Sequence, residues 1–148
     1  MPLGPCISEY TGDVYLLFDK PASDSNIVDE IVTGLNKQIL KALIPENRWY
    51  LGSLVRCCGK TSAKIYKTCS NWLLEEIVDY NYIISFGLQP MRFLLGNRSA
   101  RLIDYLYEVQ TSERFGNFLC IPDLYSISTS TSDYNKTQSV IGNYIGIR

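Results

Sequence analysis

The stretch that most constrains the fold is Asn81–Gly96, which reads NYIISFGLQPMRFLLG. Its first part, Tyr82–Phe86, is a short apolar run rich in β-branched and aromatic residues, typical of a strand buried on both faces. Gly87 follows at once, where the lack of a side chain allows close approach of backbone or ligand. Pro90 suits the first turn of a helix, because its missing N–H would be unpaired there anyway. This order predicts a ligand crevice at the carboxyl end of a parallel sheet.

The rest of the chain continues the same alternation of strands and helices. Three more apolar runs predict strands, at Asp13–Phe18, Trp49–Val55 and Asn117–Ile121. Helices are predicted between these runs and at the C-terminus, over Ile27–Leu43, Ile65–Val78, Leu102–Tyr107 and Tyr134–Ile147. The Ser- and Thr-rich segment Ser126–Ser132 is predicted to be a loop. We therefore expect one three-layer α/β/α domain over residues 1–148, with a four-stranded, mostly parallel sheet.

Composition excludes several classes of protein. The net charge is −1, so no overall field draws the chain to nucleic acid or anionic lipid, and any such contact must come from a local patch. No apolar run is long enough to cross a bilayer, and no signal-peptide pattern opens the sequence. Five cysteines, an odd number, favour a reducing cytoplasm over a disulfide framework. The chain has no histidine, which removes the commonest general base and metal ligand.

Several short segments occur in an order that resembles a known family. They are Phe18–Ala22 after the first strand, Gly52–Cys58 after the second, Cys69 in the next helix, Ile83–Gly96, Arg114–Gly116 and Ile121-Pro122. These are similar to motifs of the uracil-DNA glycosylase superfamily, especially its thermophile-type, iron–sulfur-bearing branch. The resemblance covers about Asp13 to Ser132. It implies a uracil-DNA glycosylase-like fold and DNA as a partner.

Under this resemblance, the positions that carry base excision have changed. Asp19 stands where a carboxylate would position water or stabilise the sugar cation. Ser53 replaces the asparagine that reads the uracil edge, and a hydroxyl cannot present a donor and an acceptor in that planar geometry. Tyr125 or Ser126 occupies the place of the histidine that stabilises the leaving base, a loss that usually costs on the order of a hundred- to a thousand-fold in rate. We expect a pseudoenzyme whose vestigial pocket comprises Asp19, Pro21, Ser53, Gly87, Tyr125 and Ser126.

The cysteines depart from the family pattern as well. The resemblance implies four thiolates around an iron–sulfur cluster, the usual requirement for such a group. Cys57 and Cys69 match the later pair, but only Cys6 precedes the first strand. Cys58 and Cys120 are not at the family's positions. Buried or half-buried free thiols are therefore the better interpretation, and we expect no metal and no cofactor.

Two features are candidates for contact with DNA. Basic residues cluster after the second strand, at Arg56, Lys60, Lys64 and Lys67. Such groups near a helix N-terminus suit phosphate, although an ordinary solvated face would explain them equally well. Ser128 and Ser130 lie in the run where the family pinches phosphates with serines, and an ordinary loop is the alternative. Eleven tyrosines fit either an interface or a normal core.

The expected function is that of a catalytically inactive glycosylase homologue. It would bind DNA weakly and without sequence preference, or bind a replication protein. Degenerate domains of this sort resemble those beside A-family DNA polymerases in phages and bacterial mobile elements, which implies a DNA polymerase or its accessory subunit as a partner. One alternative is a diverged active glycosylase that uses Asp19 and Tyr125 on an atypical lesion. Another is a flavodoxin-like nucleotide-binding protein, although no glycine-rich phosphate loop follows the first strand.

Overall fold

One five-stranded sheet organises the computed structural model, which describes residues 11–19, 34–54, 73–96 and 102–146. Its strands are β1 (Val14–Phe18), β2 (Trp49–Ser53), β3 (Tyr82–Phe86), β4 (Val109–Ser112) and β5 (Gly116–Ile121). Their order across the sheet is β2-β1-β3-β5-β4. Strands β2, β1, β3 and β5 are parallel, while β4 pairs antiparallel with β5.

Helices connect the strands and pack on the sheet. They are α1 (Gly34–Leu43), α2 (residues 73–77), α3 (Leu88–Leu95), α4 (Leu124–Ser128) and α5 (Thr131–Ile145). Two short 3-10 helices cover Glu46–Arg48 and Leu102–Tyr105. In the part of the chain that the structure describes, none of the helices has the length and apolar character needed to span a bilayer.

The core lies on both faces of the sheet because alternate side chains of each strand point to opposite sides. On one face, α1, α4 and α5 pack against Val14, Leu16, Phe18, Ile84, Phe86, Leu119 and Ile121. On the other, α2 and α3 pack against Tyr15, Leu17, Ile83, Phe118 and Cys120. The central strands are thus buried on both sides, as their near-continuous apolar sequences predict. This arrangement is compatible with the predicted three-layer α/β/α fold.

Two sequence-based predictions need correction. The sheet has five strands rather than four, because the polar segment Val109–Ser112 forms an antiparallel edge strand with all its side chains exposed or half-buried. Ser126–Ser132 is not a loop; it contains the end of α4 and the start of α5. Asp123 and Ser130 accept hydrogen bonds from backbone N–H groups at the starts of these helices, so the polar residues act as N-caps.

Several tyrosines belong to the core. The rings of Tyr15, Tyr50 and Tyr80 contact one another, with centroids 5.1–5.2 Å apart. Tyr15 is fully buried, and a side chain at Gly52 on the neighbouring strand would overlap its hydroxyl group. The Tyr50 hydroxyl donates to Glu76 Oε1 at 2.6 Å. For these three residues, the core interpretation of the tyrosine content is therefore correct.

Candidate functional site

The strand order creates a switch point at the middle of the sheet. From β1 the chain moves to β2 on one side, then crosses back to β3 on the other side of β1. In open parallel sheets, ligands bind in the crevice at the carboxyl ends of the two strands where the direction reverses. Those strands are β1, followed by Asp19, and β3, followed by Gly87. The fold thus brings these two predicted site residues to one edge of the sheet.

Gly87 has a backbone conformation that few other residues adopt. Its φ is +101° and its ψ is 175°, in a region that essentially only glycine occupies. Its N–H donates to the carbonyl of Ile121 at 3.0 Å, which fixes the start of α3 beside the end of β5. A Cβ at this position would lie 3.8 Å from Cβ of Asp123. Helices α3 and α4 therefore begin side by side.

Asp19 and Ser53 occupy different environments at this edge. Asp19 is half-buried and directly follows β1, one of the two strands at the switch point. Ser53 ends β2, pairs in register with Phe18, and is only 1% exposed. A residue so buried offers almost no surface to a ligand in this conformation. Of the two, Asp19 is the better placed for chemistry.

Tyr125 and Ser126 lie on the outer surface of α4. Tyr125 is 71% exposed, whereas the neighbouring Leu124 and Ile127 are buried in the core. Ser126 donates through Oγ to Asp123 Oδ1 at 2.7 Å, and its N–H donates to Asp123 Oδ2 at 3.2 Å. The Ser126 hydroxyl is thus engaged in capping the helix. The Tyr125 ring, in contrast, is presented to solvent.

Ser128 and Ser130 also make local hydrogen bonds. The Ser128 hydroxyl donates to the carbonyl of Tyr125 at 2.7 Å. The Ser130 side chain accepts from the N–H of Asp133 at 3.3 Å and caps α5. Ser128 is exposed and Ser130 half-buried, so both are near the surface. The serines of this run therefore end α4 and cap α5. Their contact with phosphate stays a prediction.

Other predicted site residues lie outside the described residues. They are Pro21 of the pocket, the basic residues Arg56, Lys60, Lys64 and Lys67, and the cysteines Cys6, Cys57, Cys58 and Cys69. Cys120 is described; it is a free thiol on β5, paired in register with Ser85. Burial raises the pKa of the Cys120 thiol to about 11. Within the described ranges, no three His, Cys, Asp or Glu side chains are grouped to hold a metal ion.

Two residues at this edge were not singled out from the sequence. Asp123 follows β5, caps α4 and contacts the Gly87 position. The sequence feature that could have identified it as an N-cap is an aspartate just before the apolar residue Leu124, with Ser126 three residues later. Leu88, the first residue of α3, is 49% exposed despite its apolar side chain. Asp123 thus stands at the start of α4 and Leu88 at the start of α3.

Sequence comparison does not assign a function to these residues. No protein-family model and no curated protein matches this chain. The site therefore has to be interpreted from its own residues. The residues that follow the carboxyl ends of β1, β3 and β5 include Asp19, Gly87, the capping residue Asp123 and the exposed Tyr125.

Proposed function

We propose that this chain is a catalytically inactive homologue of the uracil-DNA glycosylases that binds DNA, a replication protein, or both. The observation that carries the proposal is which residues stand at the carboxyl ends of the strands around the switch point. Asp19 and Gly87 are present there, whereas the resemblance puts the uracil-reading amide at the buried Ser53 and the histidine at Tyr125 or Ser126, which are both exposed. The topology supports a crevice, and under the resemblance the groups that would drive excision are replaced.

The chemistry of excision explains why these replacements matter. Departure of a base leaves negative charge on the ring, which needs a preorganised donor held away from water. The Tyr125 side chain is 71% exposed, so water would weaken any hydrogen bond from its phenol to the leaving base. The phenol is therefore a poor substitute for a histidine held away from water. The chain has no histidine that could supply the donor from another position. Catalytic residues act as a unit, so Asp19 alone would give little rate enhancement.

An excision assay tests the proposal. Labelled single- and double-stranded oligonucleotides containing uracil are incubated with the protein, treated with alkali and separated by size. We expect no strand scission above the buffer control, under conditions where an active uracil-DNA glycosylase cleaves fully. Scission that disappears in Asp19→Asn would show an active enzyme and overturn the proposal.

A second candidate is a diverged glycosylase that acts on an atypical lesion. The observation that favours it is the half-buried carboxylate of Asp19 at the switch point. The same assay, run on duplexes with deaminated or alkylated bases, separates the two functions. Cleavage of one lesion, lost in Asp19→Asn and retained in Asp13→Asn at the opposite end of β1, would support the enzyme.

The binding partners follow from the same resemblance. The fold would be a uracil-DNA glycosylase-like, three-layer domain kept for DNA contact or for contact with a DNA polymerase or its accessory subunit. Phosphate contact would rest on the basic residues Arg56, Lys60, Lys64 and Lys67, with Ser128 and Ser130 as further hydroxyl donors. Binding of this kind needs no base excision and no cofactor.

A further inference from the structure

We propose that the hydroxyl groups of Tyr107 and Thr137 bind one internal water molecule, which holds the turn before β4 against α5. The site is independent of the proposed DNA binding and lies on the face of the sheet that carries α1, α4 and α5. Both hydroxyl oxygens are buried, and neither has a hydrogen-bond partner among the residues that the structure describes. Buried hydroxyls are normally paired with a protein group or with an ordered water.

Tyr107 stands where the chain reverses its direction along β5. Leu106 pairs parallel with Cys120, whereas Val109 pairs antiparallel with Leu119. Between them Tyr107 has a φ of +66°, and in the described part of the chain it is the only residue other than glycine with a positive φ. Such a conformation is costly for a bulky residue and persists only where the surroundings fix it. The Tyr107 N–H donates to the carbonyl of Cys120 at 2.9 Å, which fixes the turn from the side of β5.

The side chains of Tyr107 and Thr137 are held in place by packing. The Tyr107 ring packs against the hydrophobic core to which α5 contributes, and the Lys136 ammonium lies 4.6 Å from the centre of this ring. Thr137 follows Lys136 on α5 and is fully buried. A threonine hydroxyl inside a helix usually bonds to a carbonyl three or four residues earlier, yet that of Thr137 makes no such bond within the described part of the chain. Its hydroxyl therefore remains available to a bound water.

The two hydroxyls lie close to each other, but not in the geometry of a direct hydrogen bond. Burial raises the pKa of Tyr107, and the neighbouring Thr137 hydroxyl offsets part of that rise. The Asp133 carboxylate, one turn before Thr137 on the same side of α5, also raises the pKa of Tyr107 through its charge. A water molecule among these groups would have three polar partners, about the number that a buried water contacts in proteins. Polar groups that are near but do not bond directly are often bridged in this way.

A crystal structure of the wild-type protein, at a resolution that shows ordered water, tests the inference directly. We expect a water molecule within hydrogen-bond distance of both Tyr107 Oη and Thr137 Oγ1. A direct hydrogen bond between the two hydroxyls, or the absence of a water between them, would overturn the proposed site.

A double-mutant cycle measured by urea denaturation tests the same site in solution. Tyr107→Phe and Thr137→Val each leave the other hydroxyl and the water with a lost partner, so each should lower the folded-to-unfolded ratio between about five-fold and thirty-fold. The double variant removes both hydroxyls together and should lose clearly less than the product of the two single losses. Independent effects, or single variants as stable as wild type, would show that the hydroxyls share no bound group and would overturn the inference. Tyr125→Phe and Thr131→Val, at exposed positions, are the matched controls and should change the ratio little.

Discussion

The two ends of the sheet differ in how their residues are bonded. At the amino end, Arg48 donates to both carboxylate oxygens of Asp13 at 2.6 and 2.8 Å, and the buried Trp49 donates through Nε1 to the Ile44 carbonyl at 3.0 Å. The Tyr144 hydroxyl joins β3 to β5. At the carboxyl end, Gly87 leaves α3 without a side-chain cap and Tyr125 is exposed.

This difference indicates that the amino end of the sheet stabilises the fold and that the carboxyl end binds the ligand. The amino end uses its polar groups to join β1 to β2 and β3 to β5, whereas the residues after the carboxyl ends include a glycine that gives α3 no side-chain cap, Gly87, and an exposed aromatic ring, Tyr125. Parallel sheets bind ligands at their carboxyl ends, which fits that difference. Substitutions at the amino end should therefore change stability, and substitutions at the carboxyl end should change binding.

The largest effect should come from Trp49→Ala. Trp49 is fully buried at the start of β2, so its removal should cost about 3–5 kcal/mol in the free energy of unfolding. Trp49→Phe should cost less, because it loses the bond to the Ile44 carbonyl but keeps an aromatic ring. Tyr125→Ala at the other end should change stability by no more than about 0.5 kcal/mol. Urea denaturation measures the free energy of unfolding of all three variants. Equal losses of stability in Trp49→Ala and Tyr125→Ala would contradict the difference between the two ends of the sheet.

A smaller effect is expected for Tyr144→Phe. The hydroxyl accepts from the N–H of Ile83 at 3.2 Å and donates to the carbonyl of Asn117 at 3.1 Å. Burial raises the pKa of Tyr144, so the phenol is neutral and able to donate throughout the physiological range. Its loss should cost about 1–2 kcal/mol in unfolding free energy. Tyr125→Phe is the matched control and should cost nothing; a similar loss in both variants would show that the bridge is not the cause.

The smallest effect, and one that depends on pH, is expected for Asp13→Asn. The hydrogen bond from Arg48 lowers the pKa of Asp13 below its ordinary value of 3.8, so ionised Asp13 stabilises the fold above that pH. The side chain is 56% exposed, which limits the contribution at neutral pH to less than about 1 kcal/mol. As the pH falls below 3.8 and towards the lower folded-state pKa, wild type should lose this advantage. Denaturation at a series of pH values checks it; a constant difference between wild type and Asp13→Asn down to low pH would contradict it.

The sequence predicted the centre of the fold better than its margins. The four parallel strands were predicted because burial on both faces demands apolar runs such as Tyr82–Phe86. The β4 segment Val109–Ser112 was missed because an exposed edge strand has no such demand, and its pairing depends on β5 rather than on its own sequence. Helix α4 and the first turn of α5 were missed because the same residues that favour loops also cap helices.

In the candidate site too, the sequence predicted the features that depend on a local pattern and missed those that depend on packing. The position of Gly87 at the switch point follows from the strand–glycine–helix pattern, which is local. The burial of Ser53 and the exposure of Tyr125 depend on how β2 and α4 pack, which no local pattern encodes. The role of Asp123 needed the contact with the Gly87 position, across two strands that lie far apart in sequence.

The most direct test of the account compares charge reversal in the basic residues that follow β2 in the chain with charge reversal on α1. Lys60 and Lys64 follow the carboxyl end of β2 in the chain, whereas Lys41 lies in the last turn of α1, which leads into the amino end of β2. If the four basic residues neutralise phosphates, DNA affinity of wild type should fall with salt at a log–log slope of about −3. Combined Lys60→Glu and Lys64→Glu should abolish binding, and Lys41→Glu should leave it unchanged. Absence of salt-sensitive binding in wild type, or an equal loss in Lys41→Glu, would contradict DNA binding through the basic residues.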